Sequence, residues 1–238
     1  MRKEAGLYST GIFFTDLQEE FQKKGFKDLR FIIIEATDSD QDPRIIEIYY
    51  PYIVTPPTDY IQPRVQIEIG CRSLREPFSF QTFGSLVDEV YAGKDFVEPL
   101  FIVPTVNPER TFLEKLFLLQ EEFQRPSEKM RVDRLSRHLY DIFHLIKAGI
   151  AEKAIQDKTL YETIVAHRYK FARVGKVDYN KYQPKLINSI PPQSVSKEWE
   201  EDYAKMSGIF RRREFPQSPR IPGLCNQKRI LLSLPQAL

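Results

Sequence analysis

The sequence predicts an α+β protein with strands in its first part and helices in its second. Two observations carry this. β-branched and aromatic runs of period two stop near residue 106, and from residue 108 apolar positions recur with helical spacing. A third is the punctuation, since 17 prolines outnumber 10 glycines, which suits stiff turns and long connections.

Taken in order, TDLQEEFQKK (15–24) reads as a short helix, with Thr15 as N-cap, Gln18 as its capping-box partner and Gly25 as the stop. RFIIIEA (30–36) and RIIEIYY (44–50) flank the polar turn TDSDQDP and predict a hairpin. After the proline-rich stretch 51–63, RVQIEIG (64–70) is the cleanest strand: Val65, Ile67 and Ile69 point to one face, Arg64, Gln66 and Glu68 to the other. Residues 71–95 show no clear period, and PLFIVPTV (99–106) is a short strand.

The helical part follows. In PERTFLEKLFLLQEEF, Phe112, Leu113, Leu116, Phe117, Leu119 and Phe123 share one broad apolar arc. VDRLSRHLYDIFHLIKAG (132–149) repeats the pattern with Leu135, Leu139, Ile142, Phe143 and Ile146, and Gly149 closes it. Residues 151–171 predict another helix and 197–210 one more. The tail from Arg211, rich in Arg, Pro and Ser, reads as irregular.

Composition narrows the class. Lys+Arg 35 against Asp+Glu 33 leaves a net charge of +2, so no global field marks a nucleic-acid binder. Cys71 and Cys225 are too few for a disulfide framework, and with 3 histidines they make a structural zinc cluster improbable. No apolar run is long enough to span a membrane, and the N-terminus lacks the apolar stretch of a secretory signal. The expectation is a cytoplasmic globular protein with no membrane partner.

Several constellations could carry chemistry. Asp38, Asp40 and Asp42 imitate the start of a calcium loop, but Pro43 takes the place of the glycine and Tyr49 that of the bidentate glutamate, so a solvated turn is the better reading. Glu68 stands mid-strand on a polar face. It is either ordinary sheet surface or, beside a cleft, a rigidly held hard-oxygen ligand for a metal such as Mg2+. Lys115 lies at the border of the apolar arc, where a lysine emerges along a cleft edge or simply snorkels, while Glu114 points nearly opposite the core. Arg134, His138, Asp141 and Leu145 make one stripe at spacings of four, three and four, and Arg137 sits one turn before Asp141. That patch is either an Arg137–Asp141 surface pair or a phosphate-binding set of cations beside a carboxylate able to accept a hydroxyl proton.

The order PRVQIEIG, NPERTFLEKLFLLQEEFQRP, RLSRHLYDIFHLI resembles the nucleotidyltransferase AbiEii/AbiGii toxin family, and IPP (190–192) and WEEDYAKM (199–206) resemble its C-terminal region. The resemblance covers roughly residues 20–210. It implies a DNA-polymerase-β-like nucleotidyltransferase core with a mixed sheet, followed by a helical domain. The implied chemistry is transfer of a nucleotidyl group from an NTP to RNA with Mg2+, the tRNA 3′ end being the acceptor in some members, which are toxins opposed by a cognate antitoxin. Carried over by position, Glu68 is the metal-side and catalytic carboxylate, Lys115 the triphosphate-contacting lysine and Asp141 the late acid acting as base. Arg137 and His138 join Lys115 in nucleotide binding. The implied division is 1–106 as an incomplete nucleotidyltransferase-like core, 107–210 as the helical domain and 211–238 as the tail.

This sequence departs from the family pattern at both ends. The family opens with a Gly-Gly/Ser turn and an Asp-x-Asp/Glu strand. Here Gly6 and Gly11 are isolated, Asp16 has no acidic partner two positions away, and Asp38 and Asp40 sit in a polar turn. Gln66 stands where many members carry lysine, and the tail lacks the family's usual ending. In-line transfer needs metal ions clamped between attacking and leaving oxygens, and Glu68 alone does not position them. The expectation is therefore little or no transferase activity in this form, the alternative being a non-catalytic RNA- or antitoxin-binding remnant.

Overall fold

The structure, a computed structural model, describes residues 9–35, 44–52, 62–68, 77–172 and 177–206. The calcium-like turn, Ile69 of the third strand and the tail lie outside them. Contacts divide the chain into two units, with the boundary between Ser73 and Leu74; the second extends to Asp202, and the described residues from Tyr203 to Met206 are counted with the first.

In the first unit, helix α1 (Phe14–Lys23) follows a π-helical turn, Ser9–Phe13. The expected cap does not form. Thr15 lies inside the helix and its hydroxyl donates to the Gly11 carbonyl at 3.0 Å, because helical backbone already precedes it. Gly25 does end the helix, at φ +90°, a conformation that suits glycine. Strands β1 (Arg30–Glu35), β2 (Arg44–Tyr49) and β3 (Arg64–Glu68) form one antiparallel sheet in that order. The predicted hairpin and the third strand are both present.

Register decides the faces of this sheet. Ile46 pairs with Ile67 and Ile48 with Val65, and beside them Phe31 meets Phe14 and Phe21 of α1 edge-on, at 6.2 and 5.9 Å. Ile46 and Ile48 are buried, whereas Val65, on the edge strand, is 52% exposed. The opposite face carries Arg30, Tyr49 and Arg64 across one row, then Ile32, Glu47 and Gln66, then Ile34, Ile45 and Glu68.

The second unit starts with a hairpin, β4 (Phe78–Phe83) and β5 (Phe101–Val106), with helix α2 (Leu86–Val90) between. The strand at 78–83 and α2 were not legible. Their apolar residues show no core-facing period, and Phe80, Leu86 and Ile102 remain exposed. The α+β class holds. Instead of one mixed sheet, the described strands form two antiparallel sheets, of three strands and of two. The physical reason is connection length: eight residues join β1 to β2, fewer than the crossover that parallel pairing needs.

Four helices then pack together: α3 (Pro108–Phe123), α4 (Ser136–Lys147), α5 (Ile150–Gln156) and α6 (Lys158–Phe171). Helix α7 (Ser196–Met206) follows after short 3-10 turns. The single helix expected over 151–171 is broken at Asp157, whose carboxylate accepts the Leu160 N–H at 2.9 Å and so starts α6.

Helix α3 is the centre of the unit. Phe112, Leu113, Leu116, Phe117 and Leu119 are buried, as the periodicity requires, and so are Gln120, Glu121 and Glu122. Each of these polar groups has a partner. Gln120 accepts the Asn188 N–H at 2.6 Å, Glu121 takes the Arg168 guanidinium, and Glu122 takes the Arg131 guanidinium at 2.7 Å together with the Arg131 backbone N–H. A helix amphipathic in sequence is thus enclosed on its polar side as well.

Candidate functional site

Helices α3 and α4 bring two of the singled-out residues together. Lys115, one residue after the solvent-side Glu114, emerges at the border of the apolar arc with its side chain 24% exposed. Asp141 faces it from α4, 26 residues later, and its carboxylate lies 2.7 Å from the ammonium. The Lys115 Nζ is also 3.4 Å from Nδ1 of His138, one turn before Asp141. An ammonium can only donate, so this contact requires Nδ1 to be the unprotonated nitrogen of the ring.

The electrostatics agree with that tautomer. Burial, and then the nearby cations Lys115 and Arg137, push the His138 imidazole down from 6.5 to about 4, against the opposing effect of Asp141. His138 is neutral at pH 7. The sign of the linkage follows. Below pH 6.5 the unfolded chain takes up a proton that the folded chain refuses, so stability is present above that pH and is lost as pH falls towards about 4. We expect a loss on the order of 2–3 kcal/mol across this window. Urea unfolding of the protein and of His138→Gln at a series of pH values checks it, and an equally steep decline in the variant would refute the assignment.

The start of α4 is held from elsewhere in the chain. Its N-cap position, Leu135, offers no side-chain acceptor. Instead Asp202 of α7 accepts the N–H groups of Arg134, at 2.7 Å, and Ser136, at 3.0 Å. Arg134 stands before the helix at φ +59°, so the expected four-residue stripe reduces to His138, Asp141 and Leu145. The helix begins at Ser136 rather than 132 because the buried Asp202 carboxylate takes these backbone donors. Asp202 was not singled out, although it sits in the WEEDYAKM segment that was.

Arg137 is exposed, and the expected Arg137–Asp141 surface pair is replaced by Lys115–Asp141. Arg110, also passed over, is 2% exposed. Its Nε donates to Glu114 at 2.8 Å, and its Nη1 is buried without a partner among the described residues.

Glu68 lies in the first unit, exposed on β3, and accepts from the Gln66 amide at 2.5 Å. The other carboxylate on this face, Glu47, is 2% exposed and committed to the Arg64 guanidinium and, at 2.6 Å, to the Tyr49 hydroxyl. Among the described residues no group of three or more metal-ligating side chains comes together. Hard divalent cations need several oxygen ligands in fixed geometry, and these residues do not fit a complete magnesium site.

The family model described as "Nucleotidyl transferase AbiEii toxin, Type IV TA system" matches residues 13–219. No curated protein and no solved structure matches. Among the described residues no helix is long and apolar enough to cross a membrane.

Proposed function

From the membership of this chain in the nucleotidyl transferase AbiEii toxin family, within which it is a type IV toxin–antitoxin nucleotidyltransferase, we propose that Lys115, His138 and Asp141 form the triphosphate and proton-accepting side of a site that transfers NMP from an NTP to RNA, the tRNA 3′ end being the acceptor. The observation that carries this reading is the 2.7 Å Lys115–Asp141 pair. A partly exposed pair of this kind contributes only about 0.5–1 kcal/mol, so a triphosphate displaces the carboxylate from the ammonium readily. Asp141, released from the ammonium, is then free to accept a proton from an RNA hydroxyl. Arg137, exposed one turn earlier on α4, adds a cation for phosphate oxygens, and neutral His138 holds the ammonium through Nδ1. Mg2+, which the family's chemistry implies, would supply charge neutralisation at the transferring phosphate. An antitoxin is the implied protein partner and the cytoplasm the implied location.

Incubation with labelled NTP, Mg2+ and tRNA tests the assignment. Because the described residues do not complete a magnesium site, transfer is expected to be weak. Lys115→Ala should weaken NTP binding about tenfold or more, and Asp141→Asn should leave binding intact while lowering transfer about 100-fold. Transfer unchanged in Asp141→Asn would remove it as the base, and robust transfer by the parent chain would overturn the expectation of weak activity.

A further inference from the structure

On the second unit, away from Lys115 and Asp141, an open groove of about 670 Å³ runs between α6 and residues 177–184. Four tyrosines line it. Tyr161 and Tyr182 are each only 4% exposed, and the Tyr161 hydroxyl is buried without a partner among the described residues. Tyr179 stacks on Tyr182 at 4.9 Å and 19°, and Tyr169 meets Tyr179 nearly at a right angle, 5.6 Å away. Tyr169 is 57% exposed. Burial pushes the Tyr161 and Tyr182 phenols up from their ordinary value, which keeps both rings neutral.

The charge of the lining is the deciding feature. Glu162 and Asp178 contribute two carboxylates against one ammonium, Lys158, which lies 3.8 Å from Glu162. Ring faces are electron-rich, so aromatic walls with an excess of carboxylate attract a cation and repel a polyanion. We propose that this groove binds an arginine or lysine side chain presented by a basic segment of a protein partner. RNA is the poorer occupant, since the one lining cation is already beside a carboxylate. The inference goes beyond the transfer reading and uses none of its residues.

The full chain labelled with 13C at tyrosine rings, observed by NMR, provides the test. Titration with a hexa-arginine peptide is expected to shift the Tyr169 and Tyr179 ring signals to saturation, while a hexaglutamate peptide leaves them in place. Tyr169→Ala and Asp178→Asn are each expected to weaken the peptide about three- to tenfold. Lys115→Ala should leave this titration unaltered, so failure of the transferase reading would not be mistaken for failure here. Absence of saturating shifts, or unchanged affinity in both variants, overturns the proposal. Equal shifts from oligouridylate would also overturn it, marking the groove as a nucleobase site.

Discussion

Replacing Phe117 with alanine is expected to destabilise the second unit by about 3–5 kcal/mol. Phe117 is fully buried on α3 and meets Tyr161 edge-on at 5.0 Å and Tyr182 at 5.2 Å. Removing the ring loses its burial free energy, leaves a cavity between α3 and α6, and forfeits aromatic contacts worth about 0.5–1.5 kcal/mol each. The four helices that pack on one another cannot all close the gap, because moving α3 towards one neighbour withdraws it from the rest. Calorimetry should show the melting temperature lowered by roughly 6–20 °C. Phe117→Leu, which keeps most of the volume, should recover much of the loss. A melting temperature within a degree of the parent for Phe117→Ala would mean that the core is not centred on α3.

The second large effect comes from a charge. Arg168 on α6 donates to both carboxylate oxygens of Glu121 on α3, from Nε at 2.7 Å and from Nη2 at 2.5 Å, and both side chains are mostly buried. Burial disfavours the guanidinium's charge, and the hydrogen bonds and charge of Glu121 more than offset it, so the Arg168 proton is held more firmly than usual. Glu121→Ala strands that guanidinium and also removes the carboxylate that accepts from the Tyr179 hydroxyl at 3.4 Å. The expected cost is about 3–5 kcal/mol. Combining Glu121→Leu with Arg168→Met should be far milder than Glu121→Ala alone, because no unpaired charge is then left buried. Urea titrations of the single and double variants check this, and strictly additive losses would show that the two side chains act independently.

The meeting of Lys115 with His138 and Asp141 was legible in the sequence. The Phe112–Leu119 arc defined the buried side of α3 and so put Lys115 at its border, and the three-residue step from His138 to Asp141 put both on one face of α4. What periodicity could not convey is where polar residues find partners. Glu121 and Glu122 look solvent-facing on a wheel, yet arginines 47 and 9 residues away enclose them. The same limit explains the break at Asp157. Alternation of apolar positions continues across it, and only the carboxylate bond to the Leu160 N–H stops one helix and starts the next.

The sequence by itself determined the α+β class, the strands at 30–35, 44–49 and 64–68, the helical stretches that carry Lys115 and Asp141, and the family, because each rests on local period or on motif order. Tertiary structure alone decided that Asp141 takes Lys115 instead of Arg137, that Asp202 sets the first turn of α4, and that Glu47 is spent on Arg64 and Tyr49. The reason is the range of the interactions. Backbone propensity and apolar spacing act over a few residues, whereas a charge or an N–H donor is satisfied by whatever group the packed chain brings within about 3 Å.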